Sequence, residues 1–157
     1  MNVVSEAIGE LCKLILPINE EYYVGNPDSK IAVCTLSSIE LLKKFANSKN
    51  LQDILIVGRL LSENKGIDSI IEYVYRKQKP LTIIVCGKEV WGHKSGHSLF
   101  QLSKNGIDKN QRIIGSISPH PFLASSLTKV RYFQDNVTLV NLVNENNFED
   151  VLKKIRT

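Results

Sequence analysis

The sequence predicts a single α/β domain, a mainly parallel sheet covered by helices on both faces. Short, wholly apolar runs recur along the chain, as strands buried on both faces do. Amphipathic helical stripes alternate with them. Glycine or small polar residues follow the runs directly, where a strand would pass into a loop. Alternating strands and helices join through right-handed crossovers, which make neighbouring strands parallel. A chain of 157 residues fits one domain. At that size roughly 68–70% of the unfolded surface can be buried, enough for an autonomous core.

Val4, Ile8, Leu11, Cys12 and Ile15 fall at helical spacing, so residues 1–17 read as an opening helix that stops at Pro17. Residues 18–30 are polar, with Gly25-Asn26-Pro27-Asp28 as turn chemistry. Residues 31–36 form the first apolar run, read as a strand. Residues 37–49 read as a helix with Ile39, Leu42 and Phe45 inward. Residues 54–57 are the second strand. Ile67, Ile70, Ile71, Val74 and Tyr75 make a helical stripe that ends before Pro80. Residues 81–85 are the third strand, and 96–104 a helix stopped by Asn105-Gly106. Residues 112–114 are read as a fourth strand and 137–143 as a fifth. Phe148, Val151, Leu152 and Ile155 mark a closing helix within 145–157. No repeat, low-complexity tract or linker divides the chain.

Composition narrows the class. The chain is 43% hydrophobic and 23% charged, with a net charge of +4. Acidic and basic residues are interspersed, and Lys43-Lys44 and Lys153-Lys154 read as solvated helix faces. No basic stripe with interleaved aromatics points to nucleic acid. Cys12, Cys34 and Cys86 form no C-x-x-C pair, and the last two sit in apolar runs as inert buried thiols would. That usage fits a reducing, cytoplasmic setting. Glu6 and Glu10 interrupt the first apolar segment, so no secretory leader is read. No run approaches the ~18 apolar residues of a membrane span. The expectation is a soluble protein.

Four loops should meet at the carboxyl edge of the sheet: 35–38, 58–64, 87–93 and 115–122. Three begin with glycine (Gly58, Gly87, Gly115), which permits positive φ and close backbone approach to a ligand. Neither a G-x-G-x-x-G nor a Walker pattern is present, so dinucleotides and nucleoside triphosphates are not indicated. No G-x-S-x-G elbow supports acyl transfer. His93 and His97 stand four apart, each preceded by glycine. They suit successive zinc ligands on one helical face, with Cys86, Glu89 and His120 as further candidates. They equally suit a polar helix start.

The run VCGKEVWGHKSGHSLFQLSKNGID, followed by QRIIG and preceded by EEYYVGNPDSKIAVCTL and LSENKGID, resembles the soluble domain of the A subunit of tetrahydromethanopterin S-methyltransferase. The likeness spans residues 22–143. It implies a Rossmann-like, three-layer domain that binds cobalamin, with His93 of the Gly-His pair as axial ligand to the cobalt. The loops around the corrin would then contribute Leu36, Ser37, Gly58, Leu60, Asn64, Gly87, Glu89, Gly92, Gly96, Gly115, Ser116, Pro119 and Phe122. The implied function is a corrinoid carrier that moves a methyl group from a methylated pterin to a thiol such as coenzyme M. Its implied partners are a membrane methyltransferase complex and a pterin-binding methyltransferase subunit. His93 and Gly96 also match part of the D-x-H-x-x-G signature of other corrinoid proteins. Trp91 stands where that signature has aspartate, so Glu89 or a backbone carbonyl is the expected partner of the imidazole. The chain departs from the family at His120, at Gly58-Arg59-Leu60-Leu61, and in showing no membrane anchor after the domain. Two alternatives stay open: a scaffold homologue without corrinoid, and a zinc domain using His93 and His97.

Overall fold

The computed structural model describes residues 22–157. The opening helix expected over 1–17 lies outside them. In chain order the elements are β1 (Tyr22–Val24), β2 (Ile31–Cys34), α1 (Ile39–Ala46), a 3-10 turn (Lys49–Asp53), β3 (Ile56–Gly58), α2 (Lys65–Lys77) and β4 (Leu81–Gly87). Then follow α3 (Ser95–Asn105), α4 (Leu127–Asn136), β5 (Val137–Val143) and α5 (Phe148–Arg156). The strands form one sheet in the order β1-β3-β2-β4-β5. β3, β2, β4 and β5 run parallel, and β1 pairs antiparallel with β3.

Strand alternation divides the core in two. Ala32, Cys34, Ile83 and Val85 face α2, α3 and α4, where Ile67, Ile71, Leu99, Leu102, Val130 and Phe133 cover them. Val33, Val57, Ile84 and Cys86 face α1 and α5, which supply Leu42, Phe45, Val151, Leu152 and Ile155. The result is the three-layer α/β domain expected.

Four apolar runs form strands as expected, and four readings need correction. The polar segment 18–30 contains β1, a short edge strand whose exposed Tyr22 and Val24 leave little hydrophobic signal. Residues 112–114 are no strand; they make only isolated bridges, Ile107 with Ile113 and Arg112 with Phe122. Ile113 is apolar because it anchors this loop in the core. Helix α4 has no counterpart among the expected elements, although Ser126 caps it by accepting from the Lys129 amide and Val130 and Phe133 form its buried stripe. The helix expected over 37–49 is shorter, ending at Ala46 before the 3-10 turn. Among the described residues no helix is long and apolar enough to cross a membrane.

Candidate functional site

The chain passes from β2 to β3 on one side, then crosses back over to β4 on the other. The crevice between the carboxyl ends of β2 and β4 is therefore the default ligand position. Here that crevice is stitched shut. The Ser37 amide and hydroxyl both donate to the Lys88 carbonyl, at 3.1 and 2.7 Å. Ser38 Oγ accepts the Lys88 amide at 2.8 Å and donates to Asn146 Oδ1 at 2.5 Å. Gly87 has φ +75°, and a Cβ there would stand 2.2 Å from the Thr35 carbonyl oxygen. Leu36 turns its side chain wholly into the core. Beside this seal the Arg59 Nη2 donates to the Ser37 carbonyl at 3.3 Å, while its buried Nε finds no partner among the described residues.

The chemically open ground lies one step aside, where the loop after β3 meets the loop between β4 and α3. Glu63 is 1% exposed. Its Oε2 accepts from His93 Nδ1 at 2.8 Å, and its Oε1 accepts the His120 amide at 2.9 Å. Burial alone would raise the Glu63 pKa. The Glu63 and His120 amides and the His93 ring outweigh it, and the carboxyl sits below its ordinary range. An ionised carboxylate only accepts, so Nδ1 carries a proton and a neutral His93 ring presents its lone pair at Nε2. That Nε2 has no hydrogen-bond partner among the described residues, and the side chain is 54% exposed.

Glu89, the expected partner of the imidazole, does something else. Its carboxylate accepts the amides of Val90, Gly96 and His97 at 2.8, 3.0 and 2.9 Å. It therefore satisfies orphan amides at the start of α3 and complements the helix dipole. Gly96 is required for this, because a Cβ would meet Glu89 Oε2 at 2.8 Å. Glu63 is the residue that sequence reasoning misses. Its partners lie 30 and 57 residues downstream, so no local pattern announces it.

The 115–122 segment joins this edge although no strand delivers it. Ser98 Oγ bonds both Ser116 Oγ and Ser118 Oγ at 2.6 Å, all three side chains buried. Ser118 Oγ also donates to the Lys94 carbonyl at 3.2 Å. Asn64 donates to the His120 carbonyl at 3.3 Å while capping α2. Ser95 Oγ donates to the Leu60 carbonyl at 2.8 Å, and Leu60 itself is core. Gly58 sits in β3, and Gly115 adopts φ +85° against Gln101. Gly92 has φ +81° and open space beside it. Pro119 and Phe122 are exposed. Large apolar side chains gather in the open on these same segments: Trp91 is 93% exposed, Ile117 64%, Phe122 48% and Ile114 44%.

The zinc reading loses its ligands. The Ile117 amide donates to His97 Nε2 at 3.4 Å. Cys86 is fully buried and its Sγ donates to the Cys34 carbonyl. Among the described residues no group of three His, Cys, Asp or Glu could hold a metal. Burial pushes the Cys34 thiol up to about 12 and raises Cys86 as well, so both are inert.

The family model for the A subunit of tetrahydromethanopterin S-methyltransferase matches residues 14–157. The chain belongs to that family. It is 36% identical over 140 residues to a Methanosarcina barkeri protein named as the A subunit of the putative methyltransferase Mtx, covering 88% of this chain and 67% of that one. The Methanosarcina acetivorans protein of the same name is 38% identical over 138 residues, 87% of this chain and 66% of its own. The tetrahydromethanopterin S-methyltransferase A subunit of Methanosphaera stadtmanae is 31% identical over 143 residues, 86% of this chain and 53% of its own. The chain thus spans between about half and two thirds of the length of these relatives.

Proposed function

We propose that this chain carries a corrinoid on its carboxyl edge and hands a methyl group between partner subunits, from a methylated pterin to a thiol. The observation that carries the reading is the His93–Glu63 pair. A buried carboxylate fixes the ring tautomer and aims an unbonded Nε2 outward, which is the support a metal-ligating histidine needs. The surroundings fit a large, flat-faced cofactor. Gly92 leaves room beside His93, and Trp91, Ile117 and Phe122 offer apolar surface on the same edge. His93 would hold the cobalt, and Glu63 would keep the imidazole oriented and basic. Once bound, the corrinoid supplies the nucleophile that takes the methyl group and the leaving group that yields it to a thiolate.

Among the described residues, the carboxylate paired with His93 does not activate the methyl donor. A methyl group on a tertiary amine leaves poorly without protonation. The carboxyl nearest His93 is Glu63, and its hydrogen bonds hold it ionised. A proton donor must come from a partner that docks over the exposed rim. The family and the names of the relatives support methyl transfer within a multi-subunit enzyme.

The test is the visible spectrum of purified protein after incubation with hydroxocobalamin and desalting. The wild type should retain a histidine-ligated spectrum. His93→Ala should lose it, and His97→Ala should keep it. A colourless wild type, or unchanged spectra in His93→Ala, would overturn the reading in favour of a scaffold homologue.

A further inference from the structure

Strand β5 is an outer strand of the sheet, bonded to β4 on one side and to no other strand among the described residues. Its sequence, VTLVNLV, has no charge and no proline across seven residues. Edge strands are ordinarily guarded by lysine, proline or a bulge, because their free amides recruit other strands. β5 carries no such lysine or proline, so the fate of each outward amide matters.

Amides alternate sides along a strand. The Asn144 amide donates to the Gly87 carbonyl, so even-numbered residues point toward β4 and odd-numbered ones point outward. Two outward amides are already claimed. Val137 donates to the Phe133 carbonyl, and Val143 donates to Asn141 Oδ1 at 3.1 Å. The ends of the edge are therefore closed by the chain itself. The amides of Leu139 and Asn141 remain in the middle, two residues apart, with no partner among the described residues.

We infer that this edge pairs with the same edge of a second copy of the chain. An antiparallel two-fold register that overlaps all seven residues centres on Val140. It sets Leu139 opposite Asn141 of the second copy, and Asn141 opposite its Leu139. Both pairs are of the hydrogen-bonded kind, so each free amide meets a free carbonyl and four backbone bonds form. Val140 then faces its own copy as a non-hydrogen-bonded pair. Each face of the sheet stays continuous across the junction, because Val140 and Leu142 belong to the α1/α5 face, and Leu139 and Val143 to the α2/α4 face. The contact is isologous and closes at two copies, leaving no edge of this kind to propagate. The two sheets join into one of ten strands. An extended segment of another protein would satisfy the same amides, but it would not reproduce the self-complementary spacing. The pairing is independent of what His93 binds.

The test uses the full chain in a Cys12→Ser background, with mass followed by light scattering as concentration rises. The expected result is a rise from 17.7 kDa to twice that mass. Asn141→Pro removes an outward amide that the β4 ladder does not use, and should leave a monomer with an unchanged far-UV spectrum. Val140→Cys tests the register without weakening the ladder. Across a non-hydrogen-bonded pair the Cβ atoms lie roughly 4.5–5.5 Å apart, close enough to bridge with small adjustment. With oxidised glutathione it should cross-link to a covalent dimer. Thr138→Cys should not, since its copy would stand four residues away along the strand. A wild type that stays at the monomer mass, a dimer that persists in Asn141→Pro, or cross-linking at 138 rather than 140 would each overturn the inference.

Discussion

The crevice between β2 and β4 and the seam around His93 share one edge of the sheet but are built on opposite principles. In the crevice, the two loops spend their polar groups on each other: Ser37, Ser38, Lys88 and Asn146 are bonded across it. At the seam, a buried carboxylate commits two bonds to a ring and an amide, and the ring's other nitrogen has no partner among the described residues. Topology nominates the place where ligands enter an open sheet. The bonding of the side chains decides whether that place is used. Here the strand order points to one crevice, and the unused lone pair lies beside it.

The largest effect should come from breaking the closed side. Gly87→Val forces a side chain against the Thr35 carbonyl at positive φ. It should cost about 3 kcal/mol or more, read as a lost or early urea transition. A tolerated Gly87→Val would mean that the crevice is looser than its bonds imply.

Next comes the open side. In Glu63→Gln the amide cannot accept from both the His93 ring and the His120 backbone, because one of its two ends now donates. The imidazole is driven toward the opposite tautomer, with the Nε2 lone pair lost. Hydroxocobalamin affinity should fall by about 10–100-fold, the usual cost of removing a carboxylate that supports a ligating histidine. Equilibrium titration against the wild type measures it. Equal affinities would show that Glu63 has no part in presenting the ring.

Acid should reveal the same pair in the unliganded protein. The folded pKa of Glu63 lies below its unfolded value, so the stabilisation it gives is present above the unfolded glutamate range. It is lost as pH falls through the lower, folded value. Urea midpoints measured down the acid limb should therefore drop more steeply in wild type than in Glu63→Gln. Parallel limbs would contradict the lowered value.

The smallest effect sharpens the contrast. Ser38→Ala removes two crevice bonds, leaving the Lys88 amide to water. Stability should fall by about 1 kcal/mol by urea titration, with corrinoid affinity unchanged. A parallel loss of affinity would merge the two regions into one site.

What the sequence disclosed follows from how local each signal is. The runs at 31–34 and 81–87 announce themselves because strands buried within a sheet are apolar along most of their length, and 137–143, although an outer strand, is long and apolar enough to show. β1 does not, since an edge strand of three residues carries little pattern. The 112–114 reading fails because one buried isoleucine in a loop looks like a short strand. Helix α4 is legible in Ser126, Val130 and Phe133, but its stripe is diluted by the polar stretch around it. At the site, His93 stands out through its glycine-flanked motif. Glu63 does not, because a buried carboxylate is defined by partners that only the fold assembles. Glu89 is legible as a nearby acid, but its task depends on where α3 begins.

Glu89 has one more effect. The first turn of a helix after a parallel strand is where folds of this kind commonly receive phosphate, on free amides at the positive end of the dipole. In this chain a built-in carboxylate already sits there as a resident anion. A phosphate-bearing ligand would have to compete with a tethered group at very high local concentration. The anion seat at the start of this helix is filled from within the chain, by a carboxylate seven and eight residues before the amides it accepts.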